Sequence, residues 1–147
     1  MGYPSRVADS LDSDPSPTDV ARLLAAWPQV RLVGLFGSVA RGTARSDSDV
    51  DIGVLGGGFW DQLGAGAELG RLFGREPHVV DLGTASDWLR FQVAREGRAL
   101  FQREPDAWAR FQAESAIRYF DVAPIIARCA QGVRERLRCE AEARARG

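Results

Sequence analysis

The chain has 147 residues, enough for one domain with a full hydrophobic core. Its 19 basic and 20 acidic side chains leave a formal charge of −1, which excludes a general attraction to nucleic acid or to anionic membrane, so no stable DNA or RNA binding is expected. Every basic residue is Arg, and neither Lys nor Asn occurs, a bias of a GC-rich coding genome more than a device of function.

Residues 1–16 are rich in Ser, Asp and Pro, lack periodicity and are expected to form a flexible N-terminus. Ser16 as N-cap, Pro17 at the first helical position and Asp19 in the first turn open a helix with Val20, Leu23, Leu24 and Trp27 on one face; Pro28 stops it. Val30 to Phe36, apolar after Arg31, predicts a strand buried on both faces. Gly37-Ser38 is a sharp turn, Val39 to Arg41 make one helical turn before Gly42, and Thr43 to Ser48 form a polar loop into a second strand, Asp49 to Leu55. Gly56 to Gly58 end that strand, and Phe59 to Phe73 carry a helical pattern weakened by Gly64, Gly66 and Gly70.

A short third strand covers Pro77 to Leu82. Ser86 or Thr84 caps a helix over Asp87 to Arg95 with Gly97 as its stop, and Ala99 to Gln102 read as a short strand or extended link. A helix over Glu104 to Phe120 is expected to bury Ala109, Ala113, Ile117 and Phe120, with a break near Asp121 and Pro124. The last helix, Val122 to Glu142, presents Val122, Ile125, Ile126, Cys129 and Val133 on one side. The expected organisation is a core over 17–103 and a C-terminal helical segment over 104–147 of the same domain. Cys129 and Cys139 are ten apart in a helical pattern and would not meet, so they read as reduced thiols. With no run approaching a membrane span and no apolar centre of a signal peptide, a cytoplasmic protein is expected.

The chemistry concentrates in Val30 to Leu55. Asp49 and Asp51, two apart in a strand, leave the same face, and two carboxylates on one face offer the oxygen ligands that a hard divalent cation takes. Gly37 and Ser38 stand where the backbone bends tightly and a following helical turn offers N–H groups to an anion. A nucleoside triphosphate with Mg2+ satisfies both halves. Asp81, near the end of the third strand, adds a third carboxylate that would bind metal on the acceptor side or act as general base. Ser38 and the N–H groups beyond Gly37 would hold the β and γ phosphates, with Arg41 neutralising charge.

Gly37-Ser38, ten residues, then Asp49-x-Asp51, with strands on both sides, resembles the GS-x10-DxD signature of the DNA polymerase β-type nucleotidyltransferase superfamily. Within it, GSVARGTARSDSDVDIGVL resembles the minimal nucleotidyltransferases. VVDLGTASDWLRFQVAREGRALFQ followed by Tyr119-Phe120-Asp121 is similar to the branch of antitoxins paired with HEPN-domain toxins. The resemblance implies an α/β nucleotidyltransferase fold, a small mixed sheet flanked by helices on one side with C-terminal helices beside it. It also implies transfer of AMP from ATP to a tyrosine of a cognate HEPN-type RNase toxin. Asp49, Asp51 and Asp81 would be catalytic and hold two Mg2+ ions, and Gly37, Ser38 and Arg41 would bind the nucleotide.

The remaining features carry plainer readings. An isolated Asp-x-Asp is usually a solvated loop edge, and Asp81 can equally cap the turn that follows it. Asp47 reads as a loop aspartate or as an acid behind the ligand carboxylates, and Arg41 as either phosphate contact or surface charge. His78, the only histidine, reads as a strand-surface residue and excludes a His-based zinc site. Trp60, Trp88 and Trp108 read as packing, and the Arg-rich stretch from Arg128 to Arg146 as a solvated face or a partner surface. Two other functions fit the motif: nucleotide transfer to a small hydroxyl compound such as an aminoglycoside, and neutralisation of a partner by occlusion without turnover.

Overall fold

The computed structural model describes residues 14–147, so the predicted flexible N-terminus lies, up to residue 13, outside the described residues. Helix α1, Pro17–Leu24, starts as its sequence dictates, with Ser16 accepting from the Asp19 N–H at 3.1 Å. Strand β1, Leu32–Phe36, leads into a single helical turn α2, Gly37–Arg41, and then strand β2, Val50–Leu55. Helix α3, Phe59–Phe73, strand β3, Pro77–Asp81, helix α4, Asp87–Glu96, and strand β4, Arg98–Gln102, follow. Helix α5, Ala107–Arg146, completes the chain. None of the described helices is long and apolar enough to cross a membrane.

The four strands form one mixed sheet in the order β3-β2-β1-β4. β1 is antiparallel to both β2 and β4, and β2 is parallel to β3. Alternation then sorts the side chains. Val33, Leu35, Val50, Ile52 and Val54 leave one face and pack with Val20 and Leu24 of α1 and Ala65, Leu69 and Phe73 of α3. On this face Gly66 lets α3 approach Val79 of β3, and Gly70 lets it approach Pro77; a Cβ at either position would collide with those side chains. The three helical glycines, which weaken the helical pattern in sequence, are thus packing residues, Gly64 serving Trp27 in the same way.

The opposite face carries Leu32, Gly34, Phe36, Asp51, Gly53 and Leu55, and it is not bare as expected. Leu82, just after β3, Val93 and Ala94 of α4, and Phe111 and Trp108 of α5 cover its Leu32 end. Gly34 makes room for the Trp108 ring and Gly53 for Leu82. Arg90 is buried here with its guanidinium donating to Leu82 O at 2.8 Å and stacked over Phe111 at 5.1 Å. Burial, and then the nearby Arg118 charge, lower its pKa. What stays uncovered on this face is the end of the sheet that carries Asp51.

Helix α5 departs from expectation twice. The predicted buried face of Ala109, Ala113, Ile117 and Phe120 is exposed; the helix is turned so that Phe111 and Ser115 are buried and Trp108 and Tyr119 pack. The aromatic rings of Trp108 and Phe111 bury far more apolar area than two alanines, and they set the rotation. Tyr119 stacks on Phe91 of α4 with ring centroids 4.2 Å apart. Second, no break occurs at Asp121 and Pro124: one helix of 40 residues, about 60 Å long, runs through the proline. From residue 124 onward every position is exposed, so the local distortion that proline imposes falls outside the core. Ile125, Ile126, Val133 and Leu137 all lie open on this projecting arm, each more than half exposed. Trp60 and Trp88, expected to pack, are also exposed.

Candidate active site

Phe36 of β1 lies opposite Asp51 of β2, so the chain leaves β1 directly beside that carboxylate. Gly37 turns the backbone there at φ +73°, the left-handed region that side-chain-bearing residues avoid. An added Cβ would overlap Asp51 Oδ2 and stand 2.9 Å from its Cγ, so glycine is required here for conformation and space together. The helical turn that follows has no side chain capping its N-terminus, and Ser38 lies in its first turn. Gly42, also at φ +73°, closes it, with its N–H directed at Ser38 O and Val39 O, and the Thr43 N–H donates to Ser38 O at 2.9 Å. Gly37 and Ser38 are thereby locked against the Asp51 end of β2.

Asp51 is partly buried, with its side chain 25% exposed, and its Oδ1 lies 2.9 Å from His78 Nδ1 on β3. The parallel register makes this inevitable, because Asp51 and His78 are direct partners across β2 and β3. Asp49 stands one residue before β2, exposed, in the loop that enters the strand. Arg75 holds that loop from outside: its guanidinium donates to Arg45 O at 2.6 Å and to Ser48 O at 3.0 Å. The Arg45 N–H donates to Ser48 Oγ at 2.7 Å, and the Val50 N–H to Glu76 O at 2.9 Å. Asp47 remains an exposed loop residue.

Asp81 is not brought to this group. It pairs in register with Val54, so it belongs to the face that α3 covers, three residues beyond His78 and roughly 10 Å further along the sheet. Its Oδ1 accepts from Gln62 Nε2 at 3.2 Å and from the Gly83 N–H at 2.8 Å. The buried Gln62 amide also donates to Gly56 O and Gly57 O, so Asp81 ties the turn after β3 to the loop after β2. These bonds are those of the turn-capping alternative, and they hold Asp81 on the face opposite Asp51. The residue found at the site in its place is His78. Arg41 sits one turn beyond Ser38, and its guanidinium meets Glu96 of α4 at 3.4 Å. Both partners are exposed, so the pair is weak and the arginine can be recruited elsewhere. Among the described residues no three His, Cys, Asp or Glu side chains already converge on one point. Asp49 and Asp51 therefore present a platform open to other ligands, as Mg2+ sites completed by water and substrate phosphates do.

A turn for an anion beside two carboxylates at the end of a mixed sheet is the arrangement of a nucleotidyl-transfer site. The family model described as Polymerase beta, Nucleotidyltransferase matches residues 19–106, and the chain belongs to that family. A curated relative, protein adenylyltransferase MntA of Shewanella oneidensis, is 33% identical over 82 residues, 54% of this chain. That match spans 59% of the relative's length. Among solved structures, a toxin-antitoxin complex with AMP-PNP contains a chain that superimposes with a TM-score of 0.67 at 24% identity, over 80% of this chain and 98% of that one. A tri-AMPylated Shewanella oneidensis HEPN toxin in complex with an MNT antitoxin gives a TM-score of 0.60 at 23% identity, over 80% of this chain and 94% of that one. These two likenesses establish the fold.

Proposed function

We propose that this chain transfers AMP from ATP to a tyrosine hydroxyl of a HEPN-type RNase toxin and so acts as its antitoxin, in the cytoplasm where ATP is supplied. The observation that carries the reading is the seating of Gly37, at the head of the Gly37-Ser38 turn, directly against Asp51, which supports a phosphate-binding turn working beside a metal-binding carboxylate. The relative named as a protein adenylyltransferase and the AMPylated toxin held by an MNT antitoxin support the acceptor class. The AMP-PNP complex supports ATP as donor. A protein acceptor also fits the exposed apolar side chains of the α5 arm and of Phe59 and Trp60, which a chain acting on small molecules has no need to display.

In this reading Ser38 and the N–H groups of α2 orient the β and γ phosphates, and Arg41 exchanges Glu96 for phosphate oxygens. Asp49 and Asp51 would hold the two Mg2+ ions, which when bound supply charge neutralisation for the triphosphate. The tyrosine oxygen forms its bond to the α-phosphorus as the bond to pyrophosphate breaks, pyrophosphate leaves, and the phenolic proton passes to solvent. Arg75 keeps the loop that carries Asp49 at the strand entrance.

Incubation with α-labelled ATP, Mg2+ and a cognate HEPN toxin tests the proposal. Label should appear on the partner with the intact chain and be lost with Asp49→Asn or Asp51→Asn. Label on an aminoglycoside instead would move the acceptor to small hydroxyl compounds. Full toxin neutralisation in cells by the Asp49→Asn, Asp51→Asn double variant would leave occlusion as the function.

A further inference from the structure

We propose that His78 is a metal ligand of this site through Nδ1, so that Asp51 and His78 form a mixed oxygen and nitrogen chelate. The inference rests on the nucleotidyl-transfer reading for the presence of a metal, and it concerns which atoms hold that metal and which ion they favour. Sheet register, not proximity in sequence, makes the pair: Asp51 and His78 are direct partners in the parallel β2 and β3 ladder, on the uncovered end of their face. Asp51 Oδ1 and His78 Nδ1 stand 2.9 Å apart.

That separation suits a shared ion. Two adjacent ligands at about 2.1 Å from an octahedral cation lie about 3.0 Å from each other, the edge of the coordination sphere. With its proton on Nε2, the imidazole presents the Nδ1 lone pair where the carboxylate presents Oδ1. The backbone holds both sides in place. Asp51 is wedged against Gly37, where no side chain intrudes, and β3 is fixed at its start by the bond from the Val50 N–H to Glu76 O. Asp81 does not compete for the position, since it is on the far face and bonded to Gln62 and Gly83.

The chemical consequence is a change in metal preference. Carboxylate, carbonyl and water ligands suit Mg2+, whereas imidazole raises affinity for the later divalent ions, and Mn2+ accepts both kinds. A site that sets a histidine nitrogen beside Asp51 favours Mn2+ over Mg2+ more strongly than the same site with oxygen ligands alone.

The test is Mn2+ binding to the full chain in the presence of a non-hydrolysable ATP analogue, followed by EPR, with electron-spin-echo detection of nitrogen coupling. Wild type is compared with His78→Gln and His78→Asp. The side chain is 64% exposed, so both variants fold, which circular dichroism verifies. Wild type should show 14N coupling to the bound Mn2+, and both variants should lose it. The ratio of Mg2+ to Mn2+ dissociation constants should fall by about tenfold or more in His78→Asp, on the scale that perturbing a metal's protein partners costs. Absence of nitrogen coupling in wild type, or an unchanged ratio in the variants, overturns the proposal. Nitrogen coupling without any AMP transfer to a partner would support it while counting against the transferase reading, so the two fail separately.

Discussion

Replacing Gly37 with alanine tests the seam between the phosphate turn and the metal platform, and Gly42→Ala is its internal control. Both glycines sit at φ +73°, so each substitution incurs the left-handed strain of an L-residue, about 1–2 kcal/mol. They differ in surroundings. A Cβ at Gly42 meets nothing within 4 Å, whereas one at Gly37 overlaps the Asp51 carboxylate. Asp51 must then rotate away and give up its bond to His78, adding about 0.5–1.5 kcal/mol. Urea unfolding should therefore show Gly37→Ala destabilised by about 1 kcal/mol more than Gly42→Ala, a further loss of about 3–5 °C in Tm for a chain of this size. The functional gap should be far wider. A displacement of about 1 Å at a reacting centre costs on the order of a hundredfold, so Gly37→Ala should lose AMP transfer to that extent. Gly42→Ala should keep most of its rate. Equal stabilities and equal rates for the two variants would refute the claim that Gly37 exists to admit Asp51.

Three other outcomes follow from the same geometry. Arg75→Ala removes two charge-assisted bonds to the loop before β2, should cost about 1–2 kcal/mol, and should raise amide exchange across residues 43–49 while leaving β4 unchanged. Asp81→Ala should lower stability by about 1–2 kcal/mol through the lost bonds to Gln62 and Gly83 yet leave Mn2+ affinity unaltered; a tenfold loss of metal affinity would restore Asp81 to the site. Deleting residues 124–147, all of them exposed, should shift core stability by no more than about 0.5 kcal/mol, as for surface changes generally. In pull-down assays the same deletion should abolish capture of the toxin partner, and undiminished capture would free the arm of that role.

Local chemistry was legible in this sequence where it decides local structure. Ser16-Pro17 start α1, Gly37-Ser38 bend out of β1, Ser86 caps α4, and the order of strands and helices follows the apolar pattern. What depends on pairing between distant segments was not. Asp81 and His78 are three residues apart on one strand, an odd separation, so only one of them can share a face with Asp51. The parallel register decides for His78, and register is a property of two strands together. In α5 the alanines at 109 and 113 have helical periodicity, but Trp108 and Phe111 bury more surface and turn the helix their way. The helix runs through Pro124 where it has already left the body of the fold, so the distortion that proline imposes disturbs no core contact, and that position is not visible in the sequence. Gly64, Gly66 and Gly70 look like flaws in a helix until the strand and the indole that approach them are known.

Intact-mass spectrometry of the HEPN partner, after incubation with ATP and either the intact chain or its Asp51→Asn variant, tests the central claim most directly. The account predicts added AMP on the partner, localised to tyrosine by peptide mapping, with the intact chain and an unmodified mass with the variant. An unmodified partner in both reactions, or the same modification in both, would contradict it.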